Sequence, residues 1–114
     1  MKAMLARQRA CQEALLVGLC NELVEREVPA AFVIEEDGRP GVDVRDCSGR
    51  TRRVYLHLEF RWFYWGDRPD ERVSCLQFPD AVDRVWRAAV EGWHEGEQGE
   101  LAFSLGRLAE AYRV

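Results

Sequence analysis

The residues whose types could do chemistry gather in one stretch, V-Y-L-H-L-E-F-R-W-F-Y-W from Val54 to Trp65. In an extended strand, side chains alternate between two faces, so His57, Glu59 and Arg61 fall in one row at successive i, i+2 positions. A histidine beside a carboxylate is the local composition of a general acid or base with its orienting partner. It is equally that of a solvated strand face, and nothing elsewhere completes a catalytic set. His57-Leu58-Glu59 matches the H-x-E half of the zinc deaminase signature, but the P-C-x-x-C half is missing and neither Cys47 nor Cys75 supplies it. His57, His94 and the four cysteines Cys11, Cys20, Cys47 and Cys75 lie at no metal-ligand spacing. No catalytic residue, metal or cofactor is assigned on these grounds, and an enzyme ranks third among the functions considered.

The same stretch has a second use. Tyr55, His57, Glu59, Arg61, Phe63 and Trp65 are predicted to share one side of the strand, and Val54, Leu56, Leu58, Phe60, Trp62 and Tyr64 the other. The even side is expected to face the core. The odd side ends in Phe63 and Trp65 beside Arg61, and aromatic residues with arginine are what interfaces concentrate. Just upstream, Ser48-Gly49-Arg50-Thr51-Arg52-Arg53 could hold phosphate through guanidinium and backbone N–H groups. It lacks the lysine and glycine spacing of a P-loop. Joined to the aromatic strand, Arg50, Arg52 and Arg53 could instead hold a single nucleic-acid strand whose bases stack on the rings.

Bulk properties weigh against the nucleic-acid use. The 114 residues carry a formal net charge of −4, which repels nucleic acid and anionic membrane at long range. With 47% apolar and 32% charged residues, the composition is globular, and the length suits one domain over residues 1–114. No apolar run approaches the roughly 20 residues of a membrane span. Arg7, Arg9, Gln12 and Glu13 interrupt anything resembling an export signal. A cytoplasmic chain with reduced cysteines is expected.

The elements that position these residues follow from periodicity. Leu15, Leu16, Leu19, Cys20, Leu23 and Val24 recur at steps of three and four, which predicts a helix from about Ala3 to Arg26, stopped by Pro29. Cys11 and Cys20 are expected to be small core residues. Strands are predicted at Ala31–Glu35, Val42–Arg45, Val54–Trp65 and Arg72–Phe78, with turns at Asp37-Gly38 and at Asp46–Arg50. After Pro79 and Asp80, residues Val82, Val85, Trp86, Ala89, Val90 and Trp93 trace a buried helix face, and Leu101, Leu105, Leu108 and Tyr112 trace a last helix. The expected fold is α+β in two layers: an N-terminal helix, a four-stranded antiparallel meander and two C-terminal helices.

The expected function is a small protein-interaction module of adaptor, chaperone, inhibitor or immunity type. Its partner-binding residues would be Tyr55, His57, Glu59, Arg61, Phe63 and Trp65 with Arg50, Arg52 and Arg53, and its partner itself, as a homodimer, or another protein.

Overall fold

The structure is a computed structural model that describes residues 2–66 and 68–94. Helix α1 (Lys2–Glu25) is followed by strands β1 (Ala30–Ile34), β2 (Pro40–Arg45), β3 (Thr51–His57), β4 (Trp62–Tyr64) and β5 (Arg72–Ser74), and then by helix α2 (Phe78–Glu91). The last helix predicted from Leu101 to Tyr112 lies outside the described residues. Order along the sheet is β1-β2-β3-β4-β5, each pair antiparallel, so the predicted meander is present with five strands instead of four. Both helices pack on one face.

Local chemistry explains most boundaries. α1 ends where Glu27 takes a left-handed φ of 66°, and the Val28 N–H bonds the Leu23 carbonyl at 2.9 Å, which closes the helix before Pro29. The β1–β2 turn runs through Gly38 at φ 85° and the β2–β3 turn through Gly49 at φ 86°, conformations that favour glycine. Pro79 sits in the first turn of α2, where its missing N–H costs nothing.

One boundary overturns the expectation. The stretch Val54–Trp65 is not one strand but a hairpin, with Leu58–Arg61 turning between β3 and β4. Tyr55 faces Tyr64, Leu56 faces Phe63 and His57 faces Trp62. Directly opposed residues of an antiparallel pair share a side of the sheet, and each of these pairs joins an odd position to an even one. The four-residue turn therefore exchanges the faces in β4. Phe63 and Trp65 enter the core at 0% and 2% exposure, while Trp62 and Tyr64 move to the outer face. Energetics favour this outcome. Burying rings of about 150–250 Å² at about 25 cal/mol per Å² is worth roughly 4–6 kcal/mol each. Against that stands the left-handed backbone at Arg61, φ 55°, an expense of about 1–2 kcal/mol.

The core joins Leu16, Leu19, Cys20 and Leu23 of α1 and Val82, Val85 and Ala89 of α2 to Val42, Val44, Val54, Leu56, Phe63 and Trp65 of the sheet side. Cys11, expected inside, is exposed, because at 100° per residue it lies well off the Leu16–Leu23 stripe. Val24 and Val90, also expected on buried faces, stand at the margins of their stripes and are exposed. Trp93 is buried just past the end of α2, and Trp86 packs partly against the core.

α1 also bonds the sheet directly. The β2–β3 pairing ends at Val42 opposite Val54, and beyond it the Gln12 side-chain amide of α1 donates to the Leu56 carbonyl at 2.9 Å.

Candidate functional surfaces

The β3–β4 hairpin decides which side chains share the outer face. Asp43, Arg53, Tyr55, His57, Trp62, Tyr64 and Arg72 lie there, bordered by Glu35 and Arg39 from the β1–β2 hairpin. Arg53 grips Asp43 with two bonds, Nε to Oδ1 at 2.7 Å and an Nη to Oδ2 at 3.1 Å, and reaches Glu35 at 2.9 Å. The Tyr55 hydroxyl donates to the same Glu35 carboxylate. Burial alone would raise Glu35, but Tyr55, Arg53 and Arg39 outweigh it and hold the carboxyl below the ordinary range. Burial and the Glu35 charge push the Tyr55 phenol up. Arg39 covers the Tyr55 ring at 5.1 Å and Arg72 the Trp62 ring at 4.5 Å. This part of the face is thus occupied by its own charges.

Further along the hairpin, His57, Phe60 and Trp62 form an aromatic cluster, with ring centres 4.6 Å apart for His57–Phe60 and 4.9 Å for Phe60–Trp62. Burial lowers the His57 pKa against the opposing pull of Glu59. The row of His57, Glu59 and Arg61 expected on one strand does not form, because Glu59 and Arg61 belong to the turn. Of the aromatic residues assigned to the outer surface, Tyr55 is there but buried, and Phe63 and Trp65 are in the core. Among the described residues, no group of His, Cys, Asp or Glu is placed to hold a metal ion.

The arginine-rich turn docks the end of α2. Arg52 points to the helix side of the sheet, where it pairs with Glu71; the two residues are 6% and 3% exposed. Arg52 also donates to the carbonyls of Trp65 at 3.2 Å and His94 at 2.6 Å. Arg50 donates to the Trp93 carbonyl at 2.6 Å, and the Trp93 indole returns a bond to the Arg50 carbonyl at 3.0 Å. Beneath them Asp46 accepts from the N–H groups of Ser48, Arg50 and Trp93 and from the Ser48 hydroxyl. Neither Asp46 nor Glu71 stood out in the sequence. The D-x-S-G spacing of an Asx-turn could have signalled Asp46; Glu71 carries no local signal, since its partner is 19 positions away.

Asp46 supplies a pH-dependent part of the stability. Burial alone would raise its pKa, but the bonds from Trp93, Arg50 and Ser48 lower it to about 2. A carboxylate depressed in the folded state stabilises fully above its unfolded pKa of about 4 and loses that contribution as the pH falls toward 2. The expected loss between pH 5 and pH 2 is about 2 kcal/mol from this residue. Urea unfolding across that range should show a shallower dependence for Asp46→Asn than for the wild type, and parallel curves would refute the assignment.

Among the described residues, one margin carries exposed apolar side chains. Ile34 at the end of β1, with Val17 and Val24 on α1, is exposed to 57%, 38% and 52%. β1 is an edge strand of five apolar residues, A-A-F-V-I, without charge or proline. At the other end of the sheet, Phe60 in the hairpin turn and Leu76 after β5 are also exposed.

Fold and surfaces together define a two-layer α+β domain, a five-stranded antiparallel meander backed by helices, whose polar groups chiefly hold its own parts together. Comparison with protein-family models, curated proteins and solved structures finds no match for the chain.

Proposed function

We propose that this domain is a cytoplasmic protein-interaction module of the adaptor, chaperone, inhibitor or immunity kind, and that it associates with a second copy of itself. The observation that carries this is the apolar margin along β1, exposed among the described residues. Edge strands of folded proteins are ordinarily blunted by charge, proline or a covering segment, and β1 contains neither charge nor proline. Val17, Val24 and Ile34 add side chains that gain by burial against a partner. Arg50, Arg52 and Arg53 contribute little to an interface here. They are engaged with Trp93, Glu71, Asp43 and Glu35, which also disfavours the single-strand nucleic-acid platform.

Light scattering coupled to size exclusion, from low micromolar to a few hundred micromolar protein, tests the self-association. A mass rising with concentration to twice that of the chain is expected; a monomer throughout would overturn it.

A further inference from the structure

We infer that Cys11 of α1 and Cys75, in the bend after β5, form a reversible thiol pair that a hydroperoxide closes into a disulfide within one chain. The pair is independent of self-association. Both cysteines are free thiols in the structure and lie far apart in sequence, so only the fold brings them together. Cys75 is placed by the sheet. The β4–β5 register pairs Phe63 with Val73 and Trp62 with Ser74, and the next N–H, that of Cys75, bonds the Arg61 carbonyl at 2.8 Å. Alternation puts Cys75 on the side of Val73 and Phe63, the helix side, where it packs against the core.

Cys11 is placed by α1. With Leu15 and Gly18 it makes one ridge at i, i+4 and i+7. Leu15 packs against the core, and Gly18 lies against the Phe78 ring, which a Cβ there would meet at 3.1 Å. Phe78 begins α2, shortly after Cys75. Since Gly18 meets Phe78 and Arg26 bonds Asp83, α1 and α2 advance together from that contact. Going back from it, α1 reaches Cys11 after two turns, about 11 Å, and the chain entering α2 reaches Cys75 within about 10 Å. Gln12, beside Cys11, agrees with this level. Its amide bonds the Leu56 carbonyl, and Leu56 stands in the same cross-strand row as Phe63 and Val73. The two thiols are also close enough for their charges to interact: burial raises the Cys75 pKa and a Cys11 thiolate raises it further, while Arg61 pulls the other way.

Exposure divides the roles. Cys11 is exposed and meets the oxidant; Cys75 is half-buried and serves as the resolving thiol. The Cys11 thiolate attacks one oxygen of the hydroperoxide and breaks the O–O bond, giving a sulfenic acid and an alkoxide or hydroxide that takes up a proton. The Cys75 sulfur then attacks the Cys11 sulfur. The S–O bond breaks, and the hydroxyl leaves as water with the Cys75 proton. Two thiols give up two electrons, the peroxide takes them, and exchange with excess thiol reverses the change. Cys20 cannot replace Cys75, because it is buried and stands half a turn around α1 from Cys11.

Thiol mapping tests the pair in the full chain carrying Cys47→Ser, which removes the other exposed thiol. The reduced protein is treated with a small excess of hydrogen peroxide, under conditions that convert free cysteine to cystine, then denatured and alkylated with a maleimide. Cys11 and Cys75 are expected to escape alkylation together while Cys20 is labelled, at the mass of a single chain less two hydrogens. Dithiothreitol should restore both. Adding Cys75→Ser is expected to stop the reaction at a sulfenic acid on Cys11, read as one dimedone adduct, and adding Cys11→Ser to abolish adduct and disulfide alike. Full alkylation after peroxide, an internal disulfide that survives either added substitution, or a disulfide-linked dimer in place of the internal bond would overturn the pair and leave the interaction module standing.

Discussion

Phe63→Ala is expected to lower the unfolding free energy by about 3–5 kcal/mol, the range for truncating a fully buried aromatic ring. Phe63 has no exposed surface and packs within the cluster formed by α1, α2 and the sheet; its ring stands edge-on to Phe78 at 6.4 Å. Phe60, three residues earlier in the hairpin turn and 39% exposed, provides the contrast. Phe60→Ala should cost about 1 kcal/mol or less, since substitutions at exposed positions seldom exceed that even where, as here, ring contacts with His57 and Trp62 are lost. Urea unfolding at constant slope would separate the two. Equal effects, or a small effect at Phe63, would mean that the chain runs straight through Leu58–Arg61 and that Phe63 lies on the outer face after all. The pair of substitutions is thus a direct test of the turn.

The second large effect is expected at Arg52. Arg52→Met removes the cation from a buried ion pair and leaves the Glu71 carboxylate without its principal partner, which typically costs 3–5 kcal/mol. The surroundings offer little relief. Gly66 stands so close to Glu71 that a Cβ there would overlap the carboxylate, so the site cannot relax in that direction. The carbonyls of Trp65 and His94 lose their donor in the same step. Replacing both members, Arg52→Met with Glu71→Leu, should be less damaging than Arg52→Met alone, because no charge is then stranded in the interior. A double variant as unstable as the sum of the singles would show that the two residues act independently and that the pair does not tie the end of α2 to the sheet.

Several features were legible in the sequence because their causes are local. The 3.6-residue phase of Leu16, Leu19 and Leu23 placed α1 over the sheet, Pro79 marked the start of α2, and Asp37-Gly38 and Gly49 marked two hairpin turns. The antiparallel order followed from short connections. The candidate surface was less legible. Arg52 and Arg53 are sequence neighbours with the same chemistry, yet one is buried against Glu71 and the other spans Asp43 and Glu35 on the outer face. Strand alternation alone predicts that they point opposite ways. Which one points inward is settled by β2, whose Val44 faces Arg52 and whose Asp43 faces Arg53.

Of what the sequence by itself determined for Val54–Trp65, the extended backbone holds over Val54–His57 and Trp62–Tyr64. Only tertiary structure decided that it folds back on itself. The turn L-E-F-R contains no glycine, proline or asparagine to announce it, and an even-numbered turn leaves the alternating pattern unbroken while exchanging its faces. Periodicity reports which residues lie together on a side; it does not report how many sides the segment has been folded into. That choice belongs to the helices, which bury Phe63 and Trp65 together with Leu56 only if β4 returns beside β3.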